Sequence, residues 1–89
     1  MKTIYKYEFD IDDRQELFLP RSAEIIHAGL DPNGTPCLWA IVNKHDQELK
    51  TVTLYIRGTG HPLPEVPLKH LATINQGPFM WHVFTNEQK

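Results

Sequence analysis

Apolar side chains recur at every second position through most of this chain. That is the period of a half-buried strand, not the 3.6-residue spacing of an amphipathic helix. Thr3 to Ile11 alternates, with Ile4, Tyr5, Tyr7 and Phe9 supplying β-favouring side chains. Asp12-Asp13-Arg14 reads as a turn, and Gln15 to Leu19 as a short strand ended by Pro20, which has no amide proton for a ladder. Ile25 to Leu30 places Ile26, Ala28 and Leu30 on one face. Asn33-Gly34 is a strong hairpin signal, and Pro36 to Val42 is the return strand, with Leu38, Ala40 and Val42 on its apolar face and Cys37, Trp39 and Ile41 on the other. After the polar turn Asn43–Gln47, Leu49 to Arg57 sets Val52, Leu54 and Ile56 against Thr51, Thr53, Tyr55 and Arg57. The expectation is that these last three strands form one antiparallel meander.

Gly58 to Pro67 holds Pro62, Pro64 and Pro67 and reads as a loop, the longest in the chain. Lys69 to Gln76 suits a strand better than a helical turn. Gly77-Pro78 is a turn, and Phe79 to Thr85 is the last strand, with Phe79, Trp81 and Val83 on one side and Met80, His82 and Phe84 on the other. The tail Asn86–Lys89 reads as frayed. Six to seven short strands in a single β-rich domain, residues 1–89, predict an all-β fold: a small antiparallel sandwich or a partly open barrel.

Composition narrows the partners. The net charge is −2 over 89 residues, and no Lys/Arg cluster gives the footprint of a protein that binds long nucleic acid. The single cysteine, Cys37, excludes an intrachain disulfide. It reads as a small core residue, because nothing near it in sequence lowers its pKa. No apolar run approaches the ~20 residues of a membrane span, and the strand-like opening has no signal-peptide pattern, so the expectation is a cytoplasmic protein without a membrane partner. A domain this small buries a modest core, which favours a homo-oligomer. Glu8, Asp10, Asp12, Asp13 and Glu16 form an acidic N-terminal group that reads as a solvated edge.

Three features could carry chemistry. If the meander forms, His27, Trp39, Tyr55 and Arg57 share the face opposite the aliphatic core; an aromatic, cationic face can stack a base and hold a phosphate. The same face equally suits burial under another strand or a second subunit. Arg57-Gly58-Thr59-Gly60-His61-Pro62 could turn its amides onto an anion, with Arg57 as a bidentate donor, or could be a plain strand-ending turn. It is not a P-loop, since the Gly-Lys-Ser/Thr ending is absent. Among the five histidines, His61 with His27 or His82 could do acid–base work on a phosphoester, although a hydrogen-bonded structural histidine is the commoner case. No zinc signature is present, and no cofactor is implied.

Pro36-Cys37-Leu38-Trp39-Ala40-Ile41-Val42, Gly58-Thr59-Gly60-His61-Pro62 and Phe79-Met80-Trp81-His82-Val83-Phe84 occur in this order, after an Ile4-Tyr5-Lys6-Tyr7 opening. Together they resemble a family of small uncharacterised bacteriophage and bacterial proteins. The resemblance carries no activity of its own. Its genomic setting implies opposition to host defence, either by blocking a host protein or by sequestering a nucleotide signal. The leading expectation is therefore a binding module for a small anionic, nucleotide-like or phosphorylated ligand. Arg57, Gly58, Thr59, Gly60 and His61 would hold the anion, and Trp39, Tyr55 or Trp81, beside His82, would hold the flat part. The alternative is an inhibitor that docks on a host protein without a small ligand. The third reading is a small histidine-based phosphoesterase.

Overall fold

The computed structural model describes residues 1–87, which carry strands and no helix. The seven strands are β1 (Lys2–Glu8), β2 (Arg14–Pro20), β3 (Glu24–Leu30), β4 (Pro36–Asn43), β5 (Leu49–Gly58), β6 (Lys69–Gln76) and β7 (Phe79–Thr85). They form two sheets in the orders β1-β4-β3 and β2-β5-β7-β6, and every pairing is antiparallel. The fold is an all-β sandwich. Its core lies between the sheets, where Leu38, Ala40 and Val42 of β4 meet Val52, Leu54 and Ile56 of β5, with Leu19, Ala28, Ile74 and Val83 around them. Lys69–Gln76 is indeed a strand, and β3 and β6 lie side by side where the two sheets meet.

The expected three-stranded meander does not form. β3 and β4 make the predicted hairpin, but β5 belongs to the other sheet. The reason is occupancy: β4 already pairs with β3 on one edge and β1 on the other, so it has no edge left for β5. The intervening Lys44–Glu48 segment crosses between the sheets. Asp46 anchors it by accepting the N–H groups of Ser22 at 2.8 Å and Glu48 at 3.1 Å.

A second correction concerns β3. A bulge between Ile25 and His27 inserts one residue and reverses the alternation. Ala28 stays in the core, but Ile26 turns outward and is 48% exposed. Leu30, at the strand end, is also partly exposed. The hairpin loop contains three residues rather than two. Gly34 N–H donates to Asp31 O and Asp31 N–H to Thr35 O, both at 2.9 Å. Only Gly34 takes positive φ, at 81°, as in a type I turn followed by a left-handed glycine. Asp31 organises the loop from within: Oδ1 accepts the N–H groups of Asn33 and Thr35, and Oδ2 pairs with Lys6 Nζ at 2.9 Å.

The C-terminal tail is not frayed where it is described. Asn86 extends the ladder, accepting Thr53 N–H at 3.0 Å on Oδ1 and donating its own N–H to Thr53 O. Glu87 pairs with Lys50. Gln88 and Lys89 lie outside the described residues.

Candidate functional site

The alternation in β5 sends Leu54 and Ile56 into the core, so Tyr55 and Arg57 face outward. Cross-strand pairing then fixes their neighbours. Arg14, Tyr55, Phe84 and His70 lie abreast on β2, β5, β7 and β6. One step along, Arg57, His82 and Thr73 form a second row on β5, β7 and β6. Residues directly opposite on one face lie close enough for their side chains to interact. The result is an open sheet face with two aromatic rings at its centre and basic or imidazole groups on both flanks.

The face is internally ordered. His82 Nε2 is hydrogen-bonded to Thr59 Oγ1 at 2.8 Å, and its Nδ1 to Thr73 Oγ1 at 3.0 Å. Thr73 Oγ1 also meets His70 Nε2 at 3.0 Å. His70 sets its ring edge-on to Phe84, with centroids 5.2 Å apart. A chain Thr59–His82–Thr73–His70 therefore runs beside the Tyr55–Phe84 pair. Arg14 has its pKa raised, first by a side-chain hydrogen bond with Tyr55 and further by Glu16, which it also meets in an ion pair at 3.3 Å.

Arg57 is more a tether than a free grip. Its Nε donates to Pro62 O at 2.9 Å, and its Nη1 to Asp13 O at 2.5 Å and Ile56 O at 3.0 Å. It holds the 58–62 loop and the β1–β2 corner against the end of β5. One loop amide is committed within the loop: His61 N–H closes a turn onto Gly58 O at 3.1 Å. Gly60 takes the positive φ of 92° that the turn needs.

The remaining predicted site residues fall elsewhere. Gly58 follows Arg57, so a Cβ there would point to the opposite face, where it would meet the His61 ring at 3.2 Å and the Trp81 ring at 3.5 Å. His61 and Trp81 thus form a second cluster on the core side of the same sheet. Trp81 stacks on Phe79, with centroids 5.4 Å apart, and donates Nε1–H to Gln76 Oε1 at 3.1 Å. Trp39 and His27 sit together on the outer face of the other sheet, centroids 5.5 Å apart. The expected single face of His27, Trp39, Tyr55 and Arg57 is therefore two faces, because β4 and β5 occupy different sheets. His61 lies on the opposite face of its sheet from His82, and His27 belongs to the other sheet, so the histidine pairs of the phosphoesterase reading do not share a face.

Arg14, His70, Thr73 and Phe84 are site residues that the sequence reading did not single out. The Met80-His82-Phe84 alternation put His82 and Phe84 on one face; the neighbours on β2 and β6 become apparent only with strand order. The acidic group Glu8, Asp10, Asp12, Asp13 and Glu16 is exposed, as expected for a solvated edge. Among the described residues no group of three or more His, Cys, Asp and Glu is arranged to hold a metal ion. No described helix is long and apolar enough to cross a membrane.

A family model described as "Domain of unknown function (DUF7352)" matches the chain over residues 1–89. No curated protein and no solved structure matches it.

Proposed function

Because the chain belongs to this family of domains of unknown function, we infer its role from its own surface: it is a binding module that holds a small, flat, anionic ligand of nucleotide type on the outer face of the β2-β5-β7-β6 sheet. The observation that carries this reading is the Tyr55–Phe84 pair, set side by side across β5 and β7 and flanked by Arg14 and His70. Aromatic rings on a sheet surface stack bases at about 1–3 kcal/mol per base, whichever base is present. Arg14 and Arg57 supply positive potential for a phosphate. Thr59 and Thr73 supply hydroxyl partners, held in place by His82. The ligand is retained rather than cleaved, since both nitrogens of His82 are occupied by threonine hydroxyls and no second imidazole faces it at bonding distance among the described residues. Sequestration of a nucleotide signal, the role the sequence resemblance implies, requires no more than this.

Titration calorimetry with adenosine and guanosine mononucleotides, and with inorganic phosphate alone, tests the reading. Mononucleotide binding that is stronger than phosphate binding and lost in Tyr55→Ala and Phe84→Ala is the expected result. Equal heats with phosphate alone, or affinity that survives both substitutions, would remove the stacking face from the account. Stoichiometric binding of a protein partner by a surface that includes the acidic edge, with no mononucleotide binding, would favour the inhibitor reading instead.

A further inference from the structure

Among the described residues β1 is an edge strand, paired on one side only, with β4. Its hydrogen-bond phase is fixed at both ends. Phe9 N–H donates to Pro36 O, and Lys44 N–H to Met1 O. Odd-numbered residues of β1 therefore direct their N–H and C=O groups to β4, and Lys2, Ile4, Lys6 and Glu8 direct theirs to the free edge. Natural edges are usually blunted by a bulge, a proline or a covering element. β3 and β6 each carry a bulge and lie against one another, and β2 ends in Pro20. β1 has an unbroken seven-residue register, no proline and no bulge. It also leaves Ile4 55% and Tyr5 44% exposed.

We propose that this edge pairs antiparallel with β1 of a second copy, joining two three-stranded sheets into one of six strands. The sequence selects the register. A two-fold axis through Tyr5 places Lys2 opposite Glu8 of the partner copy, twice, and Ile4 opposite the aliphatic stem of Lys6, all among residues whose backbone groups face the edge. Tyr5 then meets its own copy, and Thr3 meets Tyr7. A shift of two residues one way sets Lys2 against Lys6, and the other way sets Lys6 against itself. Like charges opposite one another destabilise a strand pair, so the Tyr5-centred register is the charge-compatible one. The contact is small for a stable interface, which makes the dimer concentration-dependent. It lies on the other sheet from the Tyr55–Phe84 face, so each copy keeps its own ligand surface and the two proposals fail independently.

Sedimentation velocity over a wide concentration range reads the association directly. Wild-type protein should shift from monomer to dimer. Ile4→Pro removes an edge-facing N–H and none that serves β4, so it should leave a folded monomer. Lys2→Glu and Glu8→Lys should each weaken dimerisation about tenfold, because each creates two like-charge pairs. The double variant Lys2→Glu/Glu8→Lys should restore it. A wild type that stays monomeric throughout would overturn the proposal. So would a dimer indifferent to the single charge reversals, a test that holds even if Ile4→Pro fails to fold.

Discussion

Replacing Arg57 by alanine separates a tether from a ligand grip. In the folded protein its guanidinium donates to three backbone carbonyls, those of Pro62, Asp13 and Ile56. These acceptors belong to three separate segments: the loop after β5, the corner between β1 and β2, and β5 itself. A net hydrogen bond contributes about 0.5–1.5 kcal/mol, and partial exposure of this side chain places these toward the low end, for a total of about 1–2 kcal/mol. For a domain of this size that corresponds to a fall of roughly 4–12 °C in Tm. Arg57→Lys should recover little of the loss, since a single ammonium cannot reproduce the planar fork that spans separate carbonyls. Thermal unfolding by circular dichroism measures the change. Hydrogen exchange at the His61 amide, which closes the turn onto Gly58 O, locates it: that amide should lose protection while those of β4 keep theirs. An Arg57→Ala protein with unchanged Tm and unchanged His61 protection would refute the tether.

Two further predictions concern buried polar and sulfur groups. The Asp31 carboxyl sits below its ordinary value of 3.8, first because it accepts from Lys6 and next from Thr35 N–H, which together outweigh its burial. A depressed carboxyl contributes stability that is full above the ordinary value and lost as pH falls through the lower, folded one. The urea midpoint should therefore hold down to about pH 5, fall as pH drops through and below the ordinary value of 3.8, and fall less in Asp31→Asn; an equal fall in both proteins would contradict the assignment. Cys37 is fully buried, and burial pushes its thiol up. A thiol-specific disulfide reagent should react with it at the rate of unfolding and speed up with added urea, whereas rapid reaction in native buffer would show the site to be open.

The core of this sandwich is written plainly in the chain. Leu38, Ala40, Val42, Val52, Leu54 and Ile56 alternate as core residues should, and all are buried. Alternation says which side a residue faces and nothing about which strand lies beside it, so a meander and a sheet-crossing connection look alike until β1 is seen to fill the second edge of β4. The bulge at Ile25–His27 is similarly silent, because one inserted residue reverses parity without a glycine or proline to mark it. The candidate site was legible in proportion to its locality. Tyr55 and Arg57 were apparent from their strand, and His82 from its own, but the Arg14 and His70 flanks come from strands distant in sequence. The guanidinium of Arg57 read as a phosphate donor because the Asp13 carbonyl it meets is 44 residues away.

The central claim is that the outer face of the β2-β5-β7-β6 sheet holds a flat anionic ligand. Nitrogen–proton correlation NMR of labelled protein, titrated with adenosine monophosphate, tests it most directly. The account predicts saturable shifts confined to the neighbourhood of Arg14, Tyr55, His70, His82 and Phe84, with the Trp39 and Trp81 indole signals unmoved. Shifts centred on Trp39 or on the His61–Trp81 cluster, or none at all at saturating nucleotide, would contradict it.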